Sequence, residues 1–126
     1  MGISFERFKI DNKSPVYLQV VKYIKLQILS GFLHDGEELP SRRKLASILN
    51  VNPNTIQKTY KQLEEEEIIS TPNNANSKIS LDEKTLEKMK KSLIKSEIKD
   101  MILSLKEMKL SFKEVVDTIS DFWDDV

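Results

Sequence analysis

Along residues 16–63 the apolar side chains recur at steps of three and four, the spacing that turns one face of a helix inward. Val16, Val20, Ile24, Leu26, Ile28 and Leu29 give the first block a broad apolar face. Ser14-Pro15 marks its start, with Ser14 as N-cap and Pro15 at the first helical position, and Gly31 ends it as a left-handed glycine. Residues 32–40 read as a connection, with Asp35-Gly36 as the turn signal. A second, shorter helix follows Ser41 as N-cap and turns Leu45, Ala46, Ile48 and Leu49 inward. Asn50-Val51-Asn52-Pro53 is a tight turn. Asn52 then caps a third helix, Pro53 opens it, and Ile56, Tyr60 and Leu63 define its buried side.

After Leu63 the period changes. Ile68 to Thr71 and Ser77 to Ser80 flank Pro72-Asn73-Asn74-Ala75-Asn76, the pattern of a short β-hairpin. Three helices and a hairpin predict a winged helix-turn-helix over residues 1–80. Ahead of it, Ile3, Phe5, Phe8 and Ile10 suit either a short strand or a packed arm. Residues 82–109 hold no Pro or Gly and predict one long helix. Its Ile94, Ile98, Met101, Leu105 and Met108 step by 4-3-4-3, a heptad-like stripe. Ser111 and Glu114 form a capping box ahead of a last helix bearing Phe112, Val115, Val116, Ile119, Phe122 and Trp123. The expected fold is therefore mainly α. A DNA-binding unit over 1–80 is followed by a two-helix αα-hairpin over 81–126. That hairpin is too small to hide its own apolar stripe, and a second copy of the chain is the expected cover, making a homodimer.

Charge sharpens this picture. The 126 residues balance 20 basic against 20 acidic side chains, yet residues 41–62 carry Arg42, Arg43, Lys44, Lys58 and Lys61 and no acid. Residues 1–80 hold 11 basic and 9 acidic side chains, and residues 81–126 hold 9 and 11. Gathering one sign onto two short helices joined by a turn is what a helix-turn-helix needs on a phosphate backbone. On the side of the third helix opposite its apolar row stand Asn54, Gln57, Lys58 and Lys61, types that bond base edges and phosphates.

Several segments in order resemble the GntR family of bacterial transcription regulators. They are Ser14-Pro15-Val16-Tyr17-Leu18-Gln19, Ile28-Leu29-Ser30-Gly31, Leu39-Pro40-Ser41-Arg42-Arg43-Lys44-Leu45-Ala46, Val51-Asn52-Pro53-Asn54-Thr55-Ile56 and Leu63-Glu64. The resemblance covers residues 14–71. The Asn-Pro-Asn-Thr turn and the short helical tail are similar to the YtrA-like subfamily, which implies a dimeric repressor of the kind often linked to ABC-transporter genes. The resemblance implies that Arg43 contacts DNA at the start of the second helix and that Asn54, Thr55, Gln57 and Lys58 face the major groove. Ser41, Arg42, Lys44, Asn52 and Lys61 complete the expected DNA-binding set. Pro53 stands where many relatives have an arginine. Glu67 replaces the glycine that usually ends the recognition helix, which predicts a differently built end. Asn74 and Asn76 replace the two glycines of the wing, which predicts a shortened or mobile wing that contributes little to binding.

Other chemistry has little support. There is no cysteine and one histidine, His34, which reads as a loop residue. No Gly-rich phosphate loop and no isolated carboxylate pair is present, so neither an enzyme nor a cofactor or metal requirement is expected. Glu64 to Glu67 reads as a solvated helix end. The N-terminus lacks a signal-peptide core and no run approaches a membrane span, which predicts a cytoplasmic protein. The tail is too short for a dedicated small-molecule pocket within one subunit, so no effector is assigned. The competing expectation is a protein-interaction module whose apolar tail docks another protein and whose helix-turn-helix is vestigial.

Overall fold

The computed structural model describes residues 3–73 and 75–126. Five helices and one two-stranded antiparallel sheet follow in order: α1 (Val16–Leu29), α2 (Arg42–Leu49), α3 (Pro53–Glu65), β1 (Ile69–Ser70), β2 (Lys78–Ile79), α4 (Glu83–Glu107) and α5 (Phe112–Phe122). Two compact units divide the chain, one running to Met89 and the other Lys90–Val126. No helix among the described residues is long and apolar enough to cross a membrane.

In the first unit α3 lies against both α1 and α2. Its Ile56, Tyr60 and Leu63 meet Val20, Val21, Ile24 and Leu45 in a core closed by Leu33, Leu39, Ile68, Ile69 and Ile79, all buried. Burying one such aliphatic side chain contributes about 1.5–3 kcal/mol, so the intercalated rows hold the three helices together. Leu26 and Ile48, expected to face inward, are about half exposed. Val21 and the stem of Lys25 are buried instead. A broad stripe leaves its phase free by one residue, and packing against α3 decides it.

Helix starts follow the caps with one exception. Ser41 accepts from the Lys44 amide at 3.2 Å and Asn52 from the Asn54 amide at 2.8 Å, with Pro53 opening α3. Ahead of α1, however, Pro15 is itself the N-cap, with φ −54 and ψ 139, and no side chain caps the helix. Ser14 is held by its carbonyl, which accepts from Gln19 Nε2 at 2.7 Å. The same amide group bonds the backbone of Asp11 on both sides. Gln19 thereby fastens the N-terminal arm, which is packed and not a strand. Phe5 stacks on Tyr23 at 5.1 Å, Phe8 meets the same ring edge-on at 5.0 Å, and Tyr23 donates to the Ser4 carbonyl.

The wing pairs Ile69 with Ile79 and Ser70 with Lys78. The segment read as a mere connection adds a third line of pairing. The Leu39 amide donates to Ser77, Ile79 donates to Glu37, and Gly36 donates to Ile79, at 2.7–2.8 Å. Asn74 lies outside the described residues, and with it half of the glycine-replacement argument.

In the second unit α4 runs unbroken to Glu107, and the expected capping box at Ser111 and Glu114 forms in both directions. No residue of α5 is buried. Ile94, Ile98, Met101 and Met108 on α4, with Phe112, Val116, Ile119, Phe122 and Trp123, are all exposed in the single chain, while Leu105 and Val115 are partly covered.

Candidate nucleic-acid interface

The turn between α2 and α3 sets the geometry of the basic stretch. Asn50 takes the left-handed conformation, φ 54, which ends α2 abruptly and lets Asn52 start α3 two residues later. Both helices begin with a polar cap, and both present a positive dipole end beside basic side chains. The caps leave donors free. Ser41 and Asn52 use an oxygen lone pair to accept, so the hydroxyl hydrogen of Ser41 and the amide NH₂ of Asn52 are available to an external acceptor.

Around these caps the expected side chains separate into two groups. Arg43, Lys44, Asn54, Gln57, Lys58 and Lys61 are exposed, and Thr55 is half-buried. Every one of them stands on α2 or α3, opposite the core rows Leu45-Ala46 and Ile56-Thr59-Tyr60-Leu63. Lys58 lies 5.8 Å above the Tyr17 ring, a cation–π contact that restrains a long side chain on the recognition face. Thr59 is fully buried and donates its hydroxyl within α3 to the Thr55 carbonyl at 2.9 Å, with the Tyr17 carbonyl at 3.3 Å.

Arg42 behaves differently from its neighbours. Its Nη2 donates to Glu64 Oε1 at 2.9 Å, and its guanidinium lies 5.0 Å over the Tyr60 ring. Tyr60 in turn donates to the Pro40 carbonyl at 2.6 Å. Burial pushes the Tyr60 hydroxyl well above the usual phenol range, against the opposing pull of Arg42, so it remains a donor. A cleft of about 270 Å³ lies here, lined by residues of the α2 start, Tyr60, Ala75, Asn76 and Ser77.

The acidic run at the end of α3 is more than a solvated helix end. Glu64 holds Arg42 and accepts from Thr71. Glu66 pairs at 2.7 Å with Lys25, whose stem is buried in α1, and accepts from Gln62. Glu67 has φ 60 and occupies the left-handed position itself. The Ile68 amide reaches back to Leu63 and the Glu67 amide to Glu64, the bond pair of a glycine-type helix end. The expectation of a differently built end is therefore wrong: the geometry is the usual one, carried by a glutamate. These partners join residues 22 and 41 apart, and no local spacing announces them.

The profile described as "Bacterial regulatory proteins, gntR family" matches residues 16–75. The HTH-type transcriptional repressor YtrA of Bacillus subtilis (strain 168) is 41% identical over 98 residues, covering 75% of either chain. Among solved structures, a GntR family transcriptional regulator from Listeria monocytogenes superposes with a TM-score of 0.77 at 30% identity, covering 89% of this chain and 98% of its own. YtrA from Sulfolobus acidocaldarius, a GntR-family transcription factor, gives 0.57 at 28% identity, covering 94% and 98%. With the winged helix-turn-helix, the capped α2–α3 turn and the exposed polar and basic face of α3 in place, this chain belongs to the GntR family of DNA-binding transcription regulators, in its YtrA-like branch.

Proposed function

We propose that the protein is a homodimeric repressor that binds an inverted-repeat operator and controls transporter genes. The observation that carries the reading is the exposed, acid-free face formed by Arg43, Lys44, Asn54, Gln57, Lys58 and Lys61 between two capped helix starts. Arg43, Lys44 and Lys61, with the free donors of Ser41 and Asn52, contact phosphates and fix register. Asn54, Thr55, Gln57 and Lys58 read base edges in the major groove. A two-fold dimer presents this face twice with opposite polarity, which calls for an inverted repeat. Residues 81–126 serve as the dimerisation segment. Repression and the link to transporters rest on the family likeness.

The test is binding to duplex DNA selected by the protein from a randomised library. Affinity falls steeply between 50 and 200 mM salt as counterions return to the phosphates. Arg43→Ala weakens binding more than ~10-fold, the loss of a charge-assisted phosphate contact. Binding indifferent to salt sinks the reading. A stable monomer in light scattering would instead favour an interaction module with a vestigial helix-turn-helix.

A further inference from the structure

We infer that Arg42 is a positioning residue, which ties the wing to the recognition helix, and not a phosphate contact. The inference rests on the DNA-binding reading above and assigns a separate task to one residue of the basic stretch. Four side chains form a directed chain. Arg42 Nη2 donates to Glu64 Oε1 at 2.9 Å, and Thr71 Oγ1 donates to the same oxygen at 3.0 Å. Thr71 and Ser77 hydroxyls lie 2.6 Å apart. Distance alone leaves that last donor open, but the chemistry closes it. A carboxylate only accepts, so the single Thr71 proton goes to Glu64 and Ser77 must donate to Thr71.

The chain spans four places in the fold. Arg42 opens α2, Glu64 lies in the last turn of α3, and Thr71 and Ser77 stand on the two legs of the wing. Ser77 is buried, and its carbonyl receives the Leu39 amide at 2.8 Å, so the connection before α2 is held as well. The Tyr60 ring under the guanidinium fixes its plane. A guanidinium held by a carboxylate and an aromatic face has lost much of the freedom that a phosphate contact needs. Arg43, one residue on, is exposed. Adjacent arginines thus divide into an inward clamp and an outward contact. A short wing held at both legs needs few contacts of its own to stay in register with α3.

The experiment uses the full-length protein, the duplex it selects from a randomised library, and a mixed-sequence duplex of equal length. Two quantities are read: the slope of log K against log salt, and the preference for the selected duplex. Arg43→Gln lowers the slope by about 0.9, the signature of one lost phosphate contact. Arg42→Gln and Thr71→Val leave the slope at the wild-type value but cut the preference several-fold, and Thr71→Ser restores it. Glu64→Gln, which keeps the acceptor and removes the charge, gives the same pattern if Arg42→Gln does not fold. A slope reduced by about 0.9 in Arg42→Gln makes Arg42 a phosphate contact and overturns the inference. So does an unchanged preference in both Arg42→Gln and Thr71→Val. A wild-type protein indifferent to salt fells the DNA-binding reading itself, and this inference with it.

Discussion

Four residues end helices in the left-handed conformation: Gly31, Asn50, Glu67 and Lys109, with φ of 85, 54, 60 and 60. Gly31 and Asn50 are the types that tolerate it, and both turns are readable in the sequence. Glu67 and Lys109 are not. There the backbone is imposed from outside: Ile68 is buried, and its amide closes on Leu63, so the residue before it must turn left. A β-carbon in that region costs about 1–2 kcal/mol, while glycine adds about 0.5–1 kcal/mol of unfolded-chain entropy. Glu67→Gly therefore stabilises the protein by roughly 0.5–1 kcal/mol. Gly31→Ala does the reverse, by backbone strain alone, since nothing lies within 4 Å of the added carbon. Urea denaturation of both variants checks the pair. A destabilised Glu67→Gly would mean that the carboxylate does something there beyond occupying the turn.

At the level of elements, local chemistry was legible and distant pairing was not. Ser41, Asn52, Pro53 and the Ser111–Glu114 box were readable because a cap needs only residues two or three apart. The strand-like segment 36–39 was not, because its partner is β2, about 40 residues on, and Asp35-Gly36 advertises only a turn. The DNA-facing set was legible as an acid-free stretch of basic and amide side chains. The inward role of Arg42 was not, since Glu64 lies 22 residues away. The start of α4 offers a test of a cap by pH. Asp82 Oδ1 accepts the Thr85 amide at 2.7 Å, and that backbone bond, with the Thr85 side chain, holds its carboxyl below the ordinary 3.8. A depressed carboxyl favours the folded form above its unfolded value and loses that contribution as pH falls through the folded one. On acidification below 3.8 the first turn of α4 loosens, seen as faster amide exchange at Thr85 and Leu86. Asp82→Asn removes this pH dependence, and exchange equally pH-sensitive in that variant would refute the assignment.

For the whole molecule the decisive quantity is the apolar surface that the single chain leaves open. Phe112 is 84% exposed, Trp123 74% and Met108 66%, and Ile119, Val116 and Phe122 stand near them in sequence at helical spacing. Such a continuous stripe is rarely left in water by a soluble monomer. The margins of the second unit also differ in sign. Residues 90–109 carry six Lys against three acids, and residues 110–126 carry one Lys against five acids. Two copies related by a two-fold axis can bring the basic helix of one beside the acidic helix of the other, which adds specificity to an apolar contact. Ile119→Asp places a charge in that contact and, on the proposed reading, yields a monomer in light scattering. The unfolding of the first unit should be unchanged, because no residue of α5 contributes to that core. Operator affinity should fall by roughly 10²–10⁴, the avidity that a second linked site supplies. The salt slope should fall by about half, since each half-site holds half of the phosphate contacts. An Ile119→Asp protein that stays dimeric would put the interface elsewhere. One that is monomeric yet binds as tightly as wild type would mean that a single helix-turn-helix suffices, and that the C-terminal face exists for a different partner.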